Sequence, residues 1–184
     1  VAPGSETKWK FACKVNGKDA QAATEKGYAV ITRNWKDGDT VTVDWPMAVQ
    51  RILCNEKVEA NRGRVALQRG PIVYCIEHPD VAGGKVANLA LPDDATLTAK
   101  PRGDWLKGVT VISGAAKSAE WQADGADKKV LAKPVKFTAI PYYAWAQRGK
   151  GPMSVWLPRT PEAVPPIPAP TIASQAKVSA SCRY

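Results

Sequence analysis

The residue types in this chain that could do chemistry are few and far apart. Cys75, Glu77 and His78, the only histidine, form the one patch with metal-ligand side chains. On an extended strand Cys75 and Glu77 share a face and His78 points to the other, so the three converge only if the chain bulges or turns just there. A four-coordinate zinc would need a further ligand from elsewhere, and no Cys-x-x-Cys is present to anchor it. The competing reading makes Cys75 a small apolar core residue at a strand end, and no metal is assigned to the segment. A hydrolytic site built from two carboxylates needs them facing each other across about 5–10 Å, one with a pKa raised by burial. The paired acids here, Asp37 with Asp39 and Asp93 with Asp94, sit in turn sequences where carboxylates bond the local backbone and stay solvated. The Asp37-Gly38-Asp39 turn lacks the further oxygen ligands of a calcium loop. No catalytic residue is assigned. Cys13, Cys54, Cys75 and Cys182 would permit a disulfide in an exported protein, but spacing does not assign the pairing, and free buried thiols are the default.

Two sets of residues are candidates for binding rather than catalysis. Tyr142, Tyr143, Trp145 and Trp156 fall in or beside one expected hairpin, and flat exposed rings are what a sugar face stacks on. Strand alternation would put one of Tyr142 and Tyr143 inside, and Trp145 and Trp156 have an equally good use as core. Arg62, Arg64 and Arg69 are the densest basic cluster and bracket a strand running from Gly63 to Gly70-Pro71. Along it Arg64 and Arg69 face opposite sides.

The 184 residues, 45% hydrophobic and 23% charged, have ordinary globular composition and are long enough to bury a core without staples. The net charge of +9 comes from scattered residues with no basic stripe, so no nucleic-acid partner is assigned. No apolar run approaches the roughly 20 residues of a membrane span.

The elements that must position these residues follow a period of two almost throughout, which makes the fold class all-β, built of antiparallel β-sandwich units. Asn16-Gly17 supplies the positive-φ pair of a tight hairpin turn after a strand ending at Val15. The run Tyr28–Trp35 reads as a strand leading through Lys36–Asp39 into Thr40–Trp45, where Val41, Val43 and Trp45 alternate with polar residues as in a half-buried strand. Further strands are expected at Val49–Leu53, Gly63–Gln68, Ile72–Glu77, Val109–Ile112, Val130–Ile140 and Met153–Leu157, with a short one around Asn88–Leu91. Irregular connection fills the rest of 81–107. Residues 1–47 supply too few strands for a closed sandwich and are read as part of a first unit; 48–158 form a second. The proline-rich 159–170 is a stiff linker, and 171–184 opens a further domain or a tail. The chain therefore reads as an internal segment of a longer protein.

Three strings carry a resemblance. Gly27-Tyr28-Ala29-Val30-Ile31-Thr32-Arg33-Asn34-Trp35-Lys36-Asp37-Gly38-Asp39, Asn61-Arg62-Gly63-Arg64-Val65-Ala66-Leu67-Gln68-Arg69-Gly70-Pro71-Ile72-Val73-Tyr74-Cys75-Ile76-Glu77, and Thr138–Gly149 followed by Met153–Leu157 resemble the β-sandwich portion of glycoside hydrolase family 127, the β-L-arabinofuranosidase family, over residues 12–158. The resemblance implies a plan in which an (α/α)6 barrel carries the active site and the β-sandwich domains follow it. It also implies a zinc-bound cysteine nucleophile and a glutamate acid/base, both in the barrel. The family's adjacent cysteine pair and Glu-x-Cys do not occur here; Cys54-Asn55-Glu56 and Cys75-Ile76-Glu77 run in the opposite order. The expectation is thus a non-catalytic accessory region of a glycoside hydrolase that packs on the barrel of the same parent chain, with Arg62, Arg64 and Arg69 at the seam. The alternative is a carbohydrate-binding module that uses the exposed rings. Residues 172–181 faintly resemble the first strand of a discoidin-like carbohydrate-binding domain. A periplasmic or secreted location follows from the resemblance alone.

Overall fold

The computed structural model of the chain describes residues 11–124 and 127–166. Among them the regular structure is all antiparallel strand, interrupted only by three-residue 3-10 turns, and no helix is long and apolar enough to cross a membrane.

The first unit is small. Strand β1 (Ala12–Val15) turns back into β2 (Lys18–Asp19) through Asn16 and Gly17, whose φ values of 52° and 76° are those of the primed turn that matches strand twist. β3 (Ala23–Glu25) and β4 (Tyr28–Val30) form a second hairpin across Lys26 and Gly27. The expected strand Tyr28–Trp35 therefore stops at Val30, and residues 31–40 run as loop to β5 (Val41–Asp44), which pairs with β1. Asp39 latches that loop. Its carboxylate accepts from Asn16 Nδ2 at 2.7 Å and from the Lys36 amide at 2.9 Å, while Thr40 N–H donates to Asn16 Oδ1. The Asn16 bond first, then the Lys36 amide, hold the Asp39 carboxyl below its ordinary range. Alternation in β5 does not become burial: Val41, Val43 and Trp45 are all exposed, although Cys13 and Val15 on the neighbouring strand are covered.

The second unit is one large sheet. It is assembled from β6 (Val49–Leu53), β7 (Arg64–Arg69), β8 (Ile72–Glu77), β9 (Leu89–Ala90), β10 (Leu97–Arg102), β11 (Val109–Asp124), β12 (Asp127–Pro141), β13 (Met153–Ser154) and β14 (Leu157–Pro158). The path runs β10-β11-β12-β8-β7-β14, with β6 on β7, β9 on β11 and β13 on β8. β11 and β12 form a long hairpin paired from Ile112↔Ala139 to Asp124↔Asp127, well beyond the expected Val109–Ile112. β10 was expected as connection; its Pro101 is tolerated because β10 is an edge. The expected Met153–Leu157 strand is instead two short pieces on different neighbours.

β8 is buried on both faces, which makes it the axis of the core. Tyr74 and Ile76 enter a cluster with Val65, Leu67, Leu89 and Ile112, while Cys75 enters a second with Val109, Val111, Ile140 and Ala144. Burying one such side chain contributes about 1.5–3 kcal/mol. The first residues of the proline-rich stretch 159–170, read as a stiff linker, pack on the second unit. Arg159 N–H donates to Gly63 O and its guanidinium pairs with Asp93, Val164 is buried beside Ala90 and Ala119, and Trp121 Nε1 donates to Val164 O at 2.7 Å. A bulky apolar residue three past Pro161 gives this stretch something to bury, which the proline count alone conceals. Residues 171–184, with Cys182 and the discoidin-like string, lie outside the described residues.

Candidate functional site

The densest constellation of charged side chains lies where β8 ends. Glu77 is the last residue of β8, and the turn His78–Asp80 brings a second carboxylate round to the same side. Both are buried, and both meet Arg148, which arrives from the loop after the Tyr142–Ala144 turn. Arg148 Nε and Nη2 donate to Glu77 Oε2 at 3.2 and 2.5 Å, and Nη1 and Nη2 donate to Asp80 at 2.7 and 2.6 Å. The Asp80 bonds first, opposed by burial and helped by Glu77, hold the guanidinium more firmly charged than usual. Glu77 Oε1 also accepts the amide of Ala146 at 2.7 Å, a residue at φ 63°. The Trp105 ring lies 5.1 Å from Arg148 and 4.3 Å from Arg102. The same loop is fastened further along. His78 N–H donates to Pro152 O, and Gly151 lies so close to the His78 ring that a Cβ there would be 2.0 Å from Nδ1.

This geometry answers the chemical readings of Cys75, Glu77 and His78. Glu77 is committed to Arg148 and a backbone amide. Burial, then Glu77 and Asp80, push the Cys75 thiol up to about 12, so it is a poor thiolate donor for a metal or a sugar. His78 starts the turn with its ring against Gly151. Among the described residues no group of three or more His, Cys, Asp and Glu is placed to hold a metal ion, and the zinc that the resemblance implies belongs to the barrel. Cys13, Cys54 and Cys75 are free thiols.

The clamp presents the aromatic residues. Tyr142, Tyr143 and Trp145 are exposed, Tyr143 by 68%, and the rings of Tyr142 and Trp145 lie 6.2 Å apart at 17°. The expectation that one of Tyr142 and Tyr143 turns inward fails because residues 142–144 form a 3-10 turn, where period two does not apply. Trp156 is elsewhere, half-buried in a cleft of about 190 Å³ with Arg64, Met153, Pro158 and Pro165. The three arginines do not form one patch either. Arg62 is exposed and pairs with Glu59 at 3.5 Å, Arg64 lines the Trp156 cleft, and Arg69 sits at the other end of β7, about 17 Å along the strand. Arg69 lies near the Tyr74 hydroxyl, which donates to Thr110 O at 2.9 Å, and its Nε is buried with no partner among the described residues. Burial first pushes the Tyr74 phenol upward, and Arg69 opposes that shift. Sequence reasoning missed Arg148 and Asp80. Two acids three residues apart at the end of an apolar strand, opposite an arginine in a Gly-rich loop, were the available signal.

An antiparallel β-sandwich region with an ion-paired, buried charge cluster is the class that this fold and site define. Residues 49–158 match the glycoside hydrolase family 127 C-terminal domain, and residues 6–47 match the family's β-L-arabinofuranosidase middle domain. The chain is 30% identical over 155 residues to a non-reducing end β-L-arabinofuranosidase of Bifidobacterium longum subsp. longum, a match covering 79% of this chain and 23% of that protein. Among solved structures it is similar to a GH127 β-arabinofuranosidase (TM-score 0.74, 37% identity, 89% of this chain, 25% of the other). It is also similar to a GH127 β-L-arabinofuranosidase from Geobacillus stearothermophilus T6 (TM-score 0.69, 43% identity, 81% of this chain, 24% of the other). The chain belongs to glycoside hydrolase family 127. It spans about a quarter of the length of these relatives.

Proposed function

We propose that this chain is the non-catalytic β-sandwich region of an arabinofuranosidase-type glycoside hydrolase, and that it packs on and stabilises the catalytic barrel of the same polypeptide. The observation that carries the reading is the state of its buried acids. Glu77 and Asp80, the only carboxylates buried among the described residues, are both held by Arg148, so neither is available as nucleophile or proton donor. The family matches support it, since both fall on units named by position in the family rather than on a catalytic domain. Comparing the parent enzyme with a version truncated before this region tests the proposal. The truncated enzyme should be inactivated faster on heating or fail to accumulate in soluble form, and the 184-residue chain alone should not hydrolyse aryl β-L-arabinofuranosides. Turnover by this chain alone, or a truncated enzyme as active and heat-resistant as the parent, would overturn it.

A further inference from the structure

Resting on that accessory role, we infer that Arg69 and the Tyr142–Trp145 turn form the point where this region docks on the catalytic portion of its own polypeptide, which presents a carboxylate to the guanidinium. Arg69 is charged, partly buried and, among the described residues, without an anion. Arg33, Arg62, Arg102, Arg148 and Arg159 each have a carboxylate within 4 Å, whereas none of the described residues supplies one to Arg69. Arg64 also lacks one, but no nitrogen of Arg64 is buried without a partner, as Arg69 Nε is. The Tyr74 hydroxyl nearby is neutral and spends its proton on Thr110 O. A cation taken partly out of water with an unsatisfied N–H is costly unless an acceptor arrives, and a guanidinium fork fits a carboxylate.

Arg69 pairs with Ile72 across β7 and β8, and Pro141 pairs with Tyr74 across β12 and β8, so the arginine and the turn that begins at Tyr142 flank the same stretch of β8, with Tyr143 the most exposed of the three rings. The turn carrying Tyr142, Tyr143 and Trp145 is fixed by the Arg148 clamp, so little freedom remains to be lost when a partner covers it. Arginine, tyrosine and tryptophan in one fixed patch are the residue types on which interfaces most depend. The occupant is assigned to the same polypeptide because relatives are about four times as long as this match.

The test uses the full-length parent enzyme with Tyr143 replaced by the photo-crosslinking residue p-benzoylphenylalanine, an exposed site where folding should tolerate it. Illumination should give an intramolecular crosslink to a peptide of the catalytic portion that contains Asp or Glu, and adding Arg69→Met should lower its yield several-fold while Arg69→Lys keeps most of it. Crosslinks confined to this region, crosslinks between two molecules, protection of Tyr143 by arabino-oligosaccharide instead of by the catalytic portion, or a yield indifferent to Arg69→Met would each overturn the placement. Should Arg69→Met not accumulate, the Tyr143 crosslink map alone decides. Failure here leaves the truncation result intact, so a misplaced seam and a wrong accessory role are told apart.

Discussion

Removing Arg148 is the sharpest perturbation of this structure. Arg148→Met keeps much of the side chain's volume and deletes four hydrogen bonds, leaving the Glu77 and Asp80 side chains, 5% and 1% exposed, as neighbouring buried carboxylates without a counter-ion. Breaking a buried ion pair from one side costs about 3–5 kcal/mol, because the abandoned charge keeps its desolvation penalty. Two abandoned acids push toward the upper end, and the 22% exposure of Arg148, which lets water in, pushes back, so about 4 kcal/mol is expected. At roughly 2–4 °C per kcal/mol for a chain of this size, the melting temperature should fall by about 10 °C. Thermal unfolding followed by circular dichroism at pH 7 reads this directly. The triple variant Glu77→Gln, Asp80→Asn, Arg148→Met should lie closer to the parent than Arg148→Met does, since the damage comes from orphaned charge rather than lost attraction. A shift under about 3 °C for Arg148→Met, or a triple variant worse than the single, would refute the account of the clamp.

Gly151→Ala drives a methyl into the His78 ring and should cost about 1–3 kcal/mol; His78→Ala in the same chain should restore most of it, as read by urea unfolding. Trp121→Phe removes the bond to Val164 O and should cost about 1 kcal/mol, with proteolysis following Arg159 measurably faster than in the parent. Among the described cysteines, native-state thiol labelling at pH 8 should modify the half-exposed Cys54 first and Cys75 only on unfolding. With its folded pKa near 12, above the unfolded value of about 8.5, Cys75 contributes stability that is complete below about pH 8.5 and is lost as pH rises toward 12. The stability difference between the parent and Cys75→Ala should therefore shrink over that range; a constant difference would show that burial of the thiol is not what shifts it.

Much of the second unit was legible because its strands obey one period. Val49–Leu53 and Ile72–Glu77 were found to the residue, and Asn16-Gly17 announced its hairpin. What stayed hidden was set by tertiary pairing. Residues 113–124 are rich in Ala and Ser, poor strand formers, and extend only because β12 runs alongside them for their whole length. The same holds for the site. Arg148, Glu77 and Asp80 are 68 to 71 positions apart across the ion pairs, and nothing local marks them as partners. The aromatic turn was found as a set of residue types, but its geometry followed from Pro141, which ends β12 at φ −53° and starts a 3-10 turn where alternation predicted more strand.

The first unit shows the opposite mismatch, and it bears on the accessory role. Val41, Val43 and Trp45 carry the alternation of a strand with one face in a core, yet each is more than 40% exposed. On a domain that is sufficient to itself, an apolar row of this kind is covered or broken by charge. Here the Phe11 ring lies tilted against Trp45, centroids 5.3 Å apart, and extends the row across β1 instead of closing it. The second unit buries Leu67, Tyr74, Ile76 and Ile112 almost completely with its own residues, so the shortfall is not general. A row patterned for burial and left open, next to a unit that closes on itself, is what a region evolved to pack against more of its own polypeptide should look like. Val43→Lys should then leave the 184-residue chain as stable as before and destabilise the parent enzyme by about 1–2 kcal/mol, the cost of unburying one valine, in a side-by-side thermal melt.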